Sequence, residues 1–184
     1  MIEAELKAAV TEPGALSAAL GRLARGERST YRDVYYDTTD GALTSSGREL
    51  RVRVIETGAT GRTVLTYKEA PADAASQSKP EHETVVASAA VIDVILSALG
   101  LVHLVALEKQ CVNYRFTARG RDMLATVVTV PEISGTFVEL ETMAAEKDLG
   151  AALADVRGVL GELGIGDGDL TTDTYTSAVM RARA

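Results

Sequence analysis

The sequence predicts an α+β protein: an eight-stranded antiparallel β-barrel with a polar interior and helices packed outside. Three observations carry that expectation. Eight segments have strand character, and several are joined in sequence by short links suited to hairpins. Five segments alternate charged and apolar residues, so each presents one charged face and one apolar face as a strand. Stretches with helical spacing of apolar residues lie between them, suited to covering an outer apolar surface.

The elements follow in order. Residues 2–9 read as a strand, and Pro13 opens a helix near 12–25 whose Leu16, Leu20 and Leu23 face one side. Residues 31–38 form an aromatic-rich strand, and 39–47 a polar connection. Strands 49–56 and 62–69 flank a Gly-containing turn at 57–61. Residues 71–79 read as a mobile Ala/Ser/Asp-rich loop, followed by a strand at 81–87 and a helix at 88–99 that stops at Gly100. Strands 102–116 and 122–130 make a hairpin around 118–121, and 136–142 is the last strand. A helix over 146–163, a loop over 164–169 and a terminal helix over 172–181 complete the chain.

A length of 184 residues suits one domain, spanning 1–184. With 46% apolar and 24% charged residues, the chain has the composition of a folded soluble protein rather than a disordered one. A net charge of −7 argues against nucleic acid and anionic membranes as partners, since both require a basic face. The single cysteine, Cys111, excludes an internal disulfide and a Cys-rich metal site. The start lacks the pattern of a signal peptide, and no apolar run reaches the ~18 residues of a membrane span, so a cytoplasmic protein is expected. His82 and His103 lack zinc-site spacing and read as structural or surface residues.

The charged strand faces carry the functional reading. Glu3, Glu5 and Lys7 alternate with Ile2, Ala4 and Leu6. Arg51 and Arg53, Lys68, the Lys79-Pro80-Glu81-His82-Glu83 stretch, and Glu139 with Glu141 repeat the arrangement. One such pair is ordinarily the solvent face of an amphipathic strand, but five in one domain point to a shared wet interior. The apolar partners Val52, Val54, Val138 and Leu140 then belong to a core outside the barrel. Collected on one surface, Lys7, Arg51, Arg53, Lys68 and Lys109 can grip several phosphates. Glu3, Glu5, Glu139 and Glu141 can hold one or two hard divalent cations through oxygen ligands. A polyphosphate with bound Mg²⁺ or Mn²⁺ needs both sets side by side.

Glu3-x-Glu5-x-Lys7 resembles the E-x-E-x-K signature of the CYTH superfamily, the triphosphate tunnel metalloenzymes. Asp33 to Thr38 is similar to that family's D-x-Y-[FY]-D-T strand, and Leu50 to Arg53, Thr66 to Lys68, Glu81-x-Glu83, Lys109 and Phe137 to Glu141 follow in the family's order. The resemblance implies a tunnel open at both ends, with Glu3, Glu5, Glu139 and Glu141 holding Mg²⁺ or Mn²⁺. It also implies catalytic roles for Lys7, Lys68 and Glu81, and substrate contacts from Arg51, Arg53, Lys109, Glu83 and Tyr175. The expected function is metal-dependent action on a small-molecule triphosphate or nucleotide, by hydrolysis or by cyclisation of ATP to cyclic AMP. A homodimer is an allowed assembly.

Two positions depart from the family pattern. Cys111 stands where K-x-R is usual after Lys109, removing a phosphate clamp, and Thr129 stands where an aspartate commonly precedes the final glutamates. They favour an alternative: a divergent member that binds a nucleotide or other phosphorylated ligand without efficient turnover, or is repurposed for a different phosphorylated substrate.

Overall fold

The computed structural model describes residues 1–72 and 78–184. The loop expected at 71–79 therefore falls mostly outside the described residues. Eight strands form one sheet in which every neighbouring pair is antiparallel: β1 (Ile2–Val10), β2 (Glu27–Thr38), β3 (Glu49–Thr57), β4 (Thr60–Lys68), β5 (Glu81–Val86), β6 (Leu101–Ala118), β7 (Arg121–Thr129) and β8 (Thr136–Ala144). Their order across the sheet is β1-β8-β7-β6-β2-β3-β4-β5. The helices are α1 (Pro13–Leu23), α2 (Ala42–Ser45), α3 (Ala89–Ala98), α4 (Leu149–Glu162) and α5 (Tyr175–Arg183).

The sheet curls until its two ends meet. No ladder joins β1 to β5. One bridge between Ile2 and Pro80, and the Glu3 N–H donating to the Lys79 carbonyl at 3.4 Å, hold the seam. Inside, Lys68 on β4 spans it, with Nζ 2.6 Å from Glu3 on β1 and 2.7 Å from Glu81 on β5.

The outer face of the sheet carries the main core. Leu6, Ala8, Val138 and Leu140 pack with Leu16 and Leu20 of α1 and Val156, Val159 and Leu160 of α4. Each such buried aliphatic side chain contributes about 1.5–3 kcal/mol, so this layer outweighs the polar lumen as the source of stability. Val52 joins Tyr36 and Leu96 of α3 in a smaller outer cluster. Val54, expected in that core, is only half-buried.

Several boundaries differ from expectation for identifiable reasons. β2 begins at Glu27 because Glu27 to Thr30 pair with Asn113 to Gln110 of the long β6, a tertiary contact that local propensity does not register. The polar connection after β2 contains α2. The buried Asp37 carboxylate accepts from the Leu43 and Thr44 amides at 2.8 and 3.0 Å and from the Thr44 hydroxyl at 2.5 Å. That supplies orphan helix donors with an acceptor. The β3–β4 turn shrinks to two residues, with Gly58 at φ 57°. α5 starts at Tyr175, where Thr174 accepts from the Ser177 amide at 3.1 Å as its cap.

Unlike α1, α3 and α4, α5 sets residues against the inner face of the sheet. Tyr175 and Val179 pack on Tyr35, Val105, Leu107, Cys111, Val128 and Val130 in one apolar cluster. Tyr35, Val105, Leu107, Cys111 and Val128 lie on the strand faces that carry Arg53, Lys109 and Thr126, so the cluster fills one end of the lumen. The lumen is a deep cavity with a helical plug. No helix among the described residues is long and apolar enough to cross a membrane.

Candidate active site

A cavity of about 490 Å³ occupies the remaining lumen. Strand alternation delivers the charged residues to it. β1 supplies Glu3, Glu5 and Lys7, β3 supplies Arg51 and Arg53, and β4 supplies Lys68. Glu81 and Glu83 come from β5, Lys109 from β6, Glu139 and Glu141 from β8, and Tyr175 from the plug. All twelve residues singled out in the sequence line this one cavity.

Within it, three carboxylates converge. Glu3, Glu5 and Glu141 each place an oxygen within 4.8 Å of the others. Glu139 is not in that trio; its carboxylate lies 3.7 Å from the Lys109 ammonium. The trio is poorly neutralised. Burial, then the Glu139 and Glu3 charges, push the Glu5 carboxyl up to about 7. Burial together with Glu3 and Glu5 raises Glu141 well above the carboxylate range. Glu3 is the exception: burial opposes its charge, but Lys68 and Arg51 outweigh that and bring it down to about 2. Three hard oxygen donors, two of them held against ionisation by one another, fit a divalent cation such as Mg²⁺ or Mn²⁺.

The cations fall into two groups. Arg53 is spoken for: its Nε and Nη2 donate to Asp33 Oδ1 and Oδ2 at 2.6 and 2.7 Å, and its guanidinium lies 4.6 Å from the Tyr31 ring centre. Lys68 is shared by Glu3 and Glu81, and Lys79 pairs with Glu49. Others are less satisfied. Arg51 is buried, gives one long bond of 3.4 Å to the Thr66 hydroxyl, and leaves its Nε without an acceptor. Lys7 and Lys109 stand 4.4 and 4.0 Å from the Tyr175 ring centre, and Lys7 donates to the Asp173 carbonyl. Burial pushes the Lys7 ammonium down. The Tyr175 hydroxyl is buried facing Glu139 without completing a hydrogen bond.

The two departures from the family pattern acquire different meanings. Cys111 faces the lumen, but it is 3% exposed inside the plug's apolar cluster, and burial pushes its thiol up to about 12. It is a protonated filler rather than a nucleophile. Thr129 pairs with Gln110, while Cys111 pairs with Val128 and Asn113 with Thr126. Thr129 therefore points outward and is exposed, so no carboxylate there would reach the trio. Thr129 thus withdraws no ligand from the trio.

Other contributors went unassigned in the sequence. Arg62 and Arg115 line the cavity, and neither forms an ion pair among the described residues. Each lies six positions from a chosen lysine, Lys68 or Lys109, an even spacing that puts it on the same strand face. Asn113 donates to Ser29 at 3.2 Å and Tyr31 at 2.9 Å and accepts from Thr126 at 3.0 Å, a polar network across β2, β6 and β7. His82 and His103 are exposed and pair with Glu69 and Asp93, away from the cavity.

The profile of the CYTH domain matches residues 1–175. The chain belongs to the CYTH family. No curated protein sequence matches it. Among solved structures, a protein of Pyrococcus horikoshii is similar with a TM-score of 0.83 at 19% identity, covering 97% of this chain and 98% of that one. A Vibrio parahaemolyticus protein described as a "putative adenylate cyclase" gives 0.83 at 19% identity, with 98% of each chain covered. A Hippeastrum protein, described as a "putative adenylyl cyclase" with a dominant triphosphatase activity, gives 0.64 at 19%, covering 98% of this chain and 96% of that one. At these identities the likeness is one of fold. The CYTH lumen of this chain has its signature residues gathered around one cavity.

Proposed function

We propose that this protein is a metal-dependent triphosphate phosphohydrolase. The observation that carries the reading is the convergence of Glu3, Glu5 and Glu141 within 4.8 Å, in the same cavity as Arg51, Arg53, Lys7 and Lys109. Carboxylates that raise one another's pKa need a cation, and a buried arginine with an unused donor needs an anion. A metal-bound triphosphate satisfies both.

Glu3, Glu5 and Glu141 would hold Mg²⁺ or Mn²⁺, which supplies charge neutralisation on the phosphates and an acidified water. Glu139 lies beside Lys109 and the Tyr175 hydroxyl, where it steadies both groups. Arg51 presents guanidinium donors to phosphate oxygens, while Arg53, with Nε and Nη2 taken by Asp33, has its Nη1 to offer. Lys109 and Lys7 place ammonium charge at the plugged end. Lys68 keeps Glu3 ionised at neutral pH, and burial raises the pKa of its neighbour Glu81, making Glu81 a candidate to accept a proton from attacking water. Glu83, 3.3 Å from the Thr66 hydroxyl, supports the residue that touches Arg51.

Hydrolysis is favoured over cyclisation by the state of the aromatic rings. Arg53 lies against the Tyr31 ring, Lys7 and Lys109 lie against the Tyr175 ring, and Tyr35 and Tyr175 are buried, so the lining rings offer little surface to a nucleobase. Recognition then rests on phosphates, and water is the nucleophile. The test is incubation with Mg²⁺ or Mn²⁺ and, separately, tripolyphosphate, thiamine triphosphate and ATP, with products resolved by phosphorus NMR. Orthophosphate release is expected. Cyclic AMP with pyrophosphate would replace this reading with cyclisation. Tight binding without turnover, abolished by Glu5→Ala and Arg53→Ala, would replace it with a binding role.

A further inference from the structure

α3 carries two apolar stripes. One, centred on Leu96 and Ile92, faces the sheet and packs with Tyr36 and Val52. The other faces water. Val91, Val94, Ile95 and Leu99 are 57, 66, 46 and 74% exposed and recur at three- and four-residue spacing, with exposed Ala98 between them. A helix that is apolar on its solvent side as well as its core side is normally covered by something.

We propose that this face of α3 is the interface of a homodimer, in which α3 of one copy packs against α3 of the other about a two-fold axis. The charge around the face selects that occupant. From Pro80 to Glu108 the chain has no lysine or arginine, so the region offers no grip to an anionic membrane or nucleic acid. The one acid on the helix, Asp93, is held at the edge of the stripe by the Tyr36 hydroxyl, at 2.9 Å, and by His103. A contact between two copies of α3 therefore brings together no acid of the helix other than this partnered Asp93, although each chain carries a net −7.

The size fits as well. The four side chains expose on the order of 400 Å² of apolar surface, about half of the roughly 800 Å² that each partner contributes to a standard dimer. That is the expected share for an apolar centre within a polar rim. A stripe on one helix is also self-complementary: turned by 180°, it meets an identical stripe, with Ile95 at its middle nearest the axis. The active cavity lies inside the barrel, so the two sites are independent.

The test is sedimentation equilibrium of the whole chain at about 50 µM, where a micromolar Kd leaves mostly dimer. The wild type should sediment at twice the monomer mass. Val94→Lys and Leu99→Lys should each raise Kd by about 100-fold. Both positions are exposed, so thermal melting should show the variants folded. As a second reading, Ile95→Cys introduces a thiol beside a native Cys111 that is buried, and mild oxidation should give a covalent dimer through that thiol alone. A monomeric wild type, a dimer unaffected by both lysine substitutions, or failure of Ile95→Cys to cross-link would each overturn the proposal. So would a monomer that binds neutral phosphatidylcholine vesicles, because the face would then belong to lipid.

Discussion

Glu5→Gln should make the metal-free protein more stable at pH 8 and less able to gain stability from metal. The Glu5 carboxyl is held up to about 7 by burial and by the Glu139 and Glu3 charges, against 4.5 for a free glutamate. A raised acid pKa means that the folded state resists ionisation more than the unfolded state does. Its penalty is absent below pH 4.5, grows as pH rises, and is complete above pH 7. At 1.36 kcal/mol per unit it amounts to about 3 kcal/mol. Glutamine keeps the shape without the charge. For a chain of this length that corresponds to a rise in Tm of about 8 °C at pH 8, with little change at pH 4.5. Scanning calorimetry at the two pH values in EDTA reads it directly. In Mn²⁺ at 100 times its Kd the wild type should regain about 2.7 kcal/mol, whereas the variant regains far less. A lower Tm for Glu5→Gln at pH 8 in EDTA, or an equal gain from Mn²⁺ in both proteins, would refute the account of the carboxylate trio.

Asp33→Ala removes the bidentate partner of a nearly buried guanidinium and should cost about 3–5 kcal/mol in urea denaturation. By contrast, Arg32→Ala, which breaks exposed pairs with Glu56 and Glu108, should cost far less. Thr129→Asp should leave Mn²⁺ affinity unchanged in titration calorimetry, because the new carboxylate points outward; a tenfold gain would contradict the strand register. Iodoacetamide should fail to modify Cys111 in the folded protein, and Cys111→Ala should retain turnover of tripolyphosphate.

The sheet and its charged lumen were legible because a strand has a period of two, so every second residue keeps the same company. Glu3, Glu5 and Lys7 could be assigned to one face without knowledge of any other strand, and the eleven strand residues among the twelve followed in that way. What lay across strands was harder to see. That Arg53 belongs to Asp33 depends on the β2–β3 register, and that Glu141 rather than Glu139 joins Glu3 and Glu5 depends on the β1–β8 register, which sets Glu141 opposite Glu5 and Glu139 opposite Lys7. The orientation of Thr129 was recoverable in principle. A turn centred between Arg119 and Gly120 pairs Gln110 with Thr129, and Lys109 facing inward then forces Thr129 outward. The plug was not recoverable, since nothing local to α5 says which surface its Tyr175 and Val179 will meet.

The lumen divides its charges by whether the fold itself completes them. Arg53 with Asp33, Lys79 with Glu49, and Lys68 between Glu3 and Glu81 are closed sets; the first ties β3 to β2, and the last draws the open seam together. Glu5, Glu141 and Arg51 are left incomplete: two acids with raised pKa and a buried donor without an acceptor. Burial of such groups costs free energy that contacts within the chain return only in part. The cost is recovered in full only when a cation and an anion are both bound, because either alone leaves the opposite set uncompensated. Metal and triphosphate should therefore bind with positive coupling, each tightening the other by the same factor.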